Sequence, residues 1–290
     1  MQITFLGTGG GYGIPNPFCR CANCEAARAA GGKSVRNSPA VLVNDDLLID
    51  CGRDVYPAVH ALGLRLDALR TLIITHRHSD HLDPWFFWGR RSTVDTELPP
   101  LTVYAPQDVL DEVYAFYART VGWDPAALAA NTHTLWRPVA AGMLKIAGRY
   151  RLSFFPATHG QGQIEAVLVG VQDAGVGYLH GYDTGPLSDA AWMQLARHRF
   201  NVAALDACIH TQQDYHTSEH MTAAQTISHA GRLREAGILK PGGLALATHF
   251  VHQAAGDHAD LVAYYAPHDV MPAYDGLVLA VGPDTLAIDA

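Results

Sequence analysis

The run Thr75-His76-Arg77-His78-Ser79-Asp80-His81 places four potential metal ligands, His76, His78, Asp80 and His81, within six positions. Imidazoles crowded in this way repel one another when protonated, and each is costly to bury without a partner. A divalent cation satisfies them together, so the chemistry this run points to is metal-assisted. Four donors do not complete two coordination shells, and further donors must come from elsewhere in the chain. Three follow apolar runs: His159 after LSFF, Asp183 after GYLHG and Tyr182, and His249 after LALA and Thr248. Ligands set on strand ends are held by a rigid scaffold, where sites collect in α/β sheets.

A second cluster, Cys19-Arg20-Cys21-Ala22-Asn23-Cys24, offers three thiolates. A closed tetrahedral zinc site needs four donors. His252 stands three residues after His249, so one loop can send the first imidazole to the active site and the second to a zinc behind it. Five cysteines in all, an odd number, suit a metal site in a reducing compartment better than a disulfide framework. Cys51 and Cys208 read as inert buried thiols.

The loop from Asp214 to Thr222 carries His216 and His220, one of which is expected to act as a general acid, since a histidine pKa near neutrality suits proton transfer. Asp206, ending the strand VAAL, either holds a loop or orients a group of the site. Trp85-Phe86-Phe87-Trp88 is expected either to wall a substrate pocket or to pack in the core. Arg77, Arg90 and Arg91 are candidates to pair with phosphate or are solvated charges. His60, His133, His198, His229, His258 and His268 follow no strand-end pattern, and no function is assigned to them.

The elements that must position these groups alternate along the chain. Strands are expected at 2–6, 40–43, 47–50, 71–74, 101–104, 152–155, 166–171, 177–179, 202–205, 244–247 and 277–281, short and rich in Val, Ile and Leu as inward-packed strands are. Helices are expected at 55–62, 108–117, 189–197 and 223–236, the last opened by a Thr222/Gln225 capping box. The glycine-rich stretch Gly7–Gly13 lacks a Lys-Ser/Thr ending and reads as a flexible turn rather than a nucleotide loop.

The 290 residues are 49% hydrophobic and 17% charged, enough to bury a large core, and no linker or repeat marks a boundary. One domain over 1–290 is expected, with a Cys-containing zinc loop at about 13–38. The formal charge of −8 and the absence of a basic run argue against large nucleic acids as substrates. No apolar run is long enough to span a membrane, and MQITFLGTGG lacks a signal-peptide pattern, so a cytoplasmic protein is expected.

The His-x-His-x-Asp-His run with its strand-end partners resembles the metallo-β-lactamase superfamily of metal-dependent hydrolases. The resemblance covers essentially the whole chain and implies an α/β fold, a four-layer αβ/βα sandwich with a dinuclear site along one edge. Gly7-Thr8-Gly9, Asp50-Cys51-Gly52 and Asp275-Gly276 look like that family's framework. By the resemblance His76, His78 and His159 hold one metal, Asp80, His81 and His249 the other, and Asp183 bridges them. Two dications about 3.5 to 4 Å apart bring the pKa of a shared water toward neutrality and clamp both oxygens of an in-line displacement, which suits phosphoester hydrolysis. Imidazole and carboxylate donors suit Zn²⁺, Mn²⁺ or Fe.

The Cys-x-Cys-x-x-Cys with a distant His-x-x-His is similar to the phosphodiesterases of the carbon-phosphorus lyase pathway (PhnP-like) and, second, to the B-type proteins of pyrroloquinoline quinone biosynthesis (PqqB-like). Both imply an additional structural zinc. His220 occupies the place of the loop histidine in the phosphodiesterases and ribonuclease Z. The expectation is a hydrolase of a small cyclic or nucleotide-like phosphodiester, with attack by a metal-bridging hydroxide and with His220 and Asp80 as catalytic residues. Two active-site ions (Zn or Mn) and one structural Zn are its cofactors, and a homodimer is compatible with it. The alternatives are a PqqB-like step in quinone cofactor biosynthesis and a non-catalytic metal-binding accessory protein.

Overall fold

The computed structural model describes residues 1–211 and 218–289. Its strands are β1 (Gln2–Gly7), β2 (Ala40–Val43), β3 (Leu47–Ile49), β4 (Thr71–Ile73), β5 (Leu101–Ala105), β6 (Thr134–Pro138), β7 (Leu144–Ala147), β8 (Tyr150–Pro156), β9 (Val167–Asp173), β10 (Val176–Gly181), β11 (Phe200–Asp206), β12 (Leu239–Thr248), β13 (Val270–Pro272), β14 (Val278–Val281) and β15 (Leu286–Asp289). The helices are α1 (Ala22–Ala30), α2 (Val55–Ala61), α3 (Trp85–Arg91), α4 (Gln107–Val121), α5 (Pro125–Thr132), α6 (Asp189–Leu195), α7 (Ala223–Glu235) and α8 (His258–Tyr265).

The strands form two sheets, in the orders β15-β14-β1-β2-β3-β4-β5-β6 and β13-β12-β11-β10-β9-β8-β7. Successive side chains of a strand point to opposite faces, so a strand covered on both sides must be apolar throughout. In β1, Ile3 and Phe5 enter the core between the sheets with Val41, Val43, Phe154, Val169 and Val202. Neighbouring residues of the same strands, such as Leu42 and Phe155, face outward under helices. Helices α2 to α5 cover the first sheet, and α6 to α8 the second. The result is an αβ/βα sandwich, as the sequence implied.

Strands β3 to β6 run parallel, as do β10 to β13. Their carboxyl ends therefore gather along one edge of each sheet, the place where open α/β sheets bind ligands. Every strand expected from sequence is present. Four strands without a sequence signal, β6, β7, β13 and β15, are the outermost strands of the two sheets.

One expectation needs correction, and one pair of alternatives is decided. The Gly7–Gly13 stretch is no free turn: Gly9 N donates to the Asn37 carbonyl at 2.9 Å and Gly10 N to the Phe250 carbonyl at 2.8 Å, which ties it to the loop that carries His249. Of the two roles open to the aromatic run 85–88, core packing is the one observed. The run forms α3, with Phe86 and Phe87 buried in the core under the first sheet and Trp85 and Trp88 packed edge-on, Trp85 against Phe116 and Trp88 stacked on Trp123.

Candidate metal centre

Strands β4 and β8 end just before His76 and His159, and the loop after β4 carries His78. Thr75 Oγ1 lies 3.1 Å from His76 Nδ1, and the Glu219 carbonyl lies 3.3 Å from His159 Nδ1. A hydrogen bond on one ring nitrogen fixes which nitrogen is free on the other side. His76 Nε2 and His159 Nε2 then meet His78 Nδ1 at 3.0 and 3.1 Å. Burial and the neighbouring imidazoles push His76 and His78 down, toward the neutral form in which imidazole is a ligand.

The second group shares Asp183 with the first. Asp183, just past β10, directs Oδ2 to within 2.5 Å of His81 Nε2, 3.3 Å of His76 Nε2 and 3.4 Å of His249 Nε2. Asp80 adds Oδ2 at 3.5 Å from His81 Nε2 and 3.7 Å from His249 Nε2, and receives the Gly11 amide at 2.8 Å. His81 Nδ1 pairs at 2.8 Å with Asp50 Oδ2, so its Nε2 is the nitrogen turned to the Asp183 and Asp80 carboxylates, where among the described residues no well-aligned hydrogen bond forms. Among the described residues, neither ring nitrogen of His249 has one either.

Buried orphan nitrogens facing carboxylates define the charge this cavity needs. Burial opposes ionisation of Asp50, Asp80 and Asp183, yet the facing histidines hold all three well below the usual carboxylate range. In turn, against the cost of burial, Asp50, Asp183 and Asp80 push His81 up to about 10. Protons are drawn to where a cation would satisfy the same lone pairs, so the donor set fits divalent ions. Asp50, Asp183 and His249 adopt positive φ (62°, 47° and 62°), a region these residue types enter at some cost and which collects at functional sites.

His220 lies at the mouth, just ahead of α7, whose capping box places Gln225 N 3.3 Å from Thr222 Oγ1 and Thr222 N 2.9 Å from Gln225 Oε1. Its Nδ1 is 3.1 Å from Asp206 Oδ2 and 3.3 Å from Asp183 Oδ1. Burial disfavours the imidazolium, but the Asp206 carboxylate outweighs it and pushes His220 up to about 12. Asp206 also receives the Cys208 and Met221 amides at 3.0 and 2.9 Å, so of the two roles open to it the geometry gives both: it ties the loop and orients His220. His216 lies outside the described residues. Cys208 is buried as expected, but its sulfur stands within 4.8 Å of ring nitrogens of His220 and His249, beside the site rather than away from it.

Behind the cavity, donor atoms of Cys19, Cys21, Cys24 and His252 lie within 4.8 Å of one another. Cys21 Sγ is 3.7 Å from His252 Nδ1, and Asn23 Nδ2 donates to the His252 carbonyl at 2.9 Å. Desolvation raises a thiol, but hydrogen bonds from His252 and the Cys24 amide bring Cys21 down to about 6. Three sulfurs and one imidazole are the donor set of a structural zinc.

Asp50, of the Asp50-Cys51-Gly52 framework motif, braces His81 from behind, and buried His180, which carried no sequence signal, stands with Nε2 3.5 Å from Asp50 Oδ2. The three arginines considered for phosphate are engaged elsewhere. Arg77 pairs with Asp108, Arg90 bonds the Pro99 carbonyl, and Arg91 lies over Trp88 and Trp123. The arginine near the site is Arg53, which follows Asp50-Cys51-Gly52 and bonds the Gly11 carbonyl at 3.1 Å and Ser79 Oγ at 3.2 Å.

A two-sheet sandwich with histidines and aspartates gathered at one strand edge defines a metallo-β-lactamase fold. The profile of the β-lactamase superfamily domain matches residues 46–250, and the chain belongs to that family. Among solved structures it is similar to a diphosphatase of the PhnP family, with 20% identity and a TM-score of 0.73 over 97% of this chain and 98% of the other. It is also similar to Zn²⁺-bound PqqB from Methylobacterium extorquens, with 16% identity and a TM-score of 0.74 over 97% and 100%. Ribonuclease Z of Mycobacterium sp. (strain KMS) is 30% identical over 128 residues, which is 42% of this chain and 39% of that protein. The chain thus matches well under half the length of that curated relative. No helix among the described residues is long and apolar enough to cross a membrane.

Proposed function

We propose that the protein is a dinuclear metal-dependent phosphodiesterase acting on small phosphodiesters. The observation that carries this is the Asp183 carboxylate, seated between the His76 group and the His81/His249 group with one oxygen within 3.4 Å of a nitrogen from each. In this reading His76, His78 and His159 hold one divalent ion, Zn or Mn, and Asp80, His81 and His249 the other, with Asp183 shared. When bound, such ions supply Lewis acidity, lowering the pKa of water and neutralising phosphoryl oxygens.

The protein's own part is to aim and protonate. Asp50 and Thr75 fix the tautomers of His81 and His76. Asp206 holds His220 Nδ1, leaving Nε2 to pass its proton to the ester oxygen as the phosphorus–oxygen bond breaks. The net charge of −8 favours a small substrate over a polynucleotide. Cys19, Cys21, Cys24 and His252 hold a structural zinc that fixes the loop following His249.

The test is hydrolysis of bis(p-nitrophenyl) phosphate by metal-loaded protein, expected to require Mn²⁺ or Zn²⁺ and to fall at least about 10³-fold in His76→Ala. Full metal loading without turnover of any phosphodiester would refute the reading in favour of a metal-binding accessory protein. Cys21→Ala is expected to lower the melting temperature by on the order of 5–10 °C and to remove one zinc per chain. Unchanged melting would contradict the structural zinc.

A further inference from the structure

The loop Gly9–Gly13 has two sides. On one, a Cβ added at Gly10 would stand 2.7 Å from His249 Cε1, and Gly11 N donates to Asp80 Oδ2 at 2.8 Å, so the loop is a wall of the metal-ligand cavity. On the other, it borders a cavity of about 730 Å³ whose lining includes Tyr12, Pro17, Phe18, Asn37, Arg53 and Asp54. The size is that of a site for a small organic ligand rather than a single water. Tyr12 is 69% and Phe18 99% exposed, an unusual concentration of bare aromatic surface at one opening. The Arg53 guanidinium lies 5.0 Å from the Tyr12 ring centroid. Arg53 makes no ion pair among the described residues, and its bonds to the Gly11 carbonyl and to Ser79, the neighbour of Asp80, leave its charge unneutralised at the rim of the metal-ligand cavity.

An unpaired guanidinium, an exposed aromatic face and amide and carboxylate edges at Asn37 and Asp54 match one kind of ester arm. It is a planar ring with polar edges, joined to an anion: a nucleoside attached through its phosphate. Exposed rings stack with bases regardless of sequence, and a neighbouring arginine strengthens the stack. Resting on the phosphodiesterase reading, we propose that the substrates are phosphodiesters with one nucleoside arm, with the base on Tyr12 and the phosphate side of that arm against Arg53. Phe18 and Pro17 precede Cys19 directly, so the thiolate cluster also fixes the rim of this subsite.

The test is calorimetric titration of the metal-loaded protein with adenosine 5′-monophosphate and with inorganic phosphate. The wild type is expected to prefer the nucleotide by at least about tenfold. Tyr12→Ala is expected to reduce that preference about tenfold, while Tyr12→Phe, which keeps the ring, retains it, and Arg53→Gln is expected to weaken nucleotide binding itself about tenfold. A wild type without preference, a preference unaffected by Tyr12→Ala, or nucleotide affinity unaffected by Arg53→Gln overturns the proposal. Alongside this, the ratio of kcat/KM for thymidine 5′-(p-nitrophenyl phosphate) over methyl p-nitrophenyl phosphate should fall in Tyr12→Ala by the same factor. If the wild type cleaves neither ester, the phosphodiesterase reading fails, while the titration still decides whether this cavity binds a nucleotide.

Discussion

At the scale of single residues, Asp206 separates orientation from metal binding. It reaches His220 Nδ1 at 3.1 Å, while its contact with His249 Nδ1 is longer, at 3.6 Å. Removing its charge in Asp206→Asn keeps the shape but no longer favours the imidazolium. Turnover of alkyl phosphodiesters is then expected to drop about 10²-fold. Turnover of p-nitrophenyl esters, whose leaving group departs without a proton, should drop far less. Equal losses for both would mean that Asp206 acts only in folding or metal binding. In the sequence His220 was a candidate beside His216, preferred by its resemblance to a family loop histidine, and Asp206 was left undecided. An aspartate closing a strand looks the same whether it ends a turn or braces an imidazole, and only the fold brings position 206 beside 220.

At the scale of elements, the strands without a sequence signal share a cause. Strand β7 exposes Leu144 and Ile146, and β6 buries only its first residue. An outermost strand has one neighbour and often one wet face, so it lacks the continuous apolar run that marks β4 or β11. Strand β13 is three residues long and ends in Pro272, tolerable only where no further strand needs its amide. The central strands were legible because burial on both faces leaves few choices of residue, and the candidate donors stand out because polar residues directly follow those apolar runs. The glycine loop was misread because its hydrogen-bond partners, Asn37 and Phe250, are distant in the chain. That loop's contact with His249 carries its own prediction. In Gly10→Ala the added methyl must displace the imidazole, and divalent-metal affinity measured by chelator competition should fall about 10–100-fold with the fold retained.

At the scale of the whole molecule, the first and last segments are joined through a buried arginine. Arg36 Nη1 donates to Thr8 Oγ1 at 2.7 Å and to the Ala273 carbonyl at 2.6 Å, and its Nη2 lies 3.2 Å from His258 Nδ1. Asp275 receives Thr8 and Asn37 in the same knot. Burial, then the charges of Arg36 and Lys33, bring His258 down to about 4, against a weaker pull from Asp257. The unfolded chain therefore takes up this proton first as pH falls, and the stability His258 contributes when neutral is lost between about pH 6.5 and 4. The decrease in melting temperature from pH 7 to pH 5, in one metal buffer, is expected to be smaller in His258→Gln than in the wild type. Identical decreases would exclude His258 as its source. From sequence His258 carried no function, since nothing along the chain reveals that position 36 lies beside it.

The turn that begins at His249 and ends at His252 contributes to two groups of candidate donors at once, with Gly10 pressed against its first imidazole and Asn23 bonded to its last carbonyl. A spacing of three residues is thus a ruler between the sites. Homologues that keep both sites should vary in loop length almost anywhere else before they gain or lose one residue here.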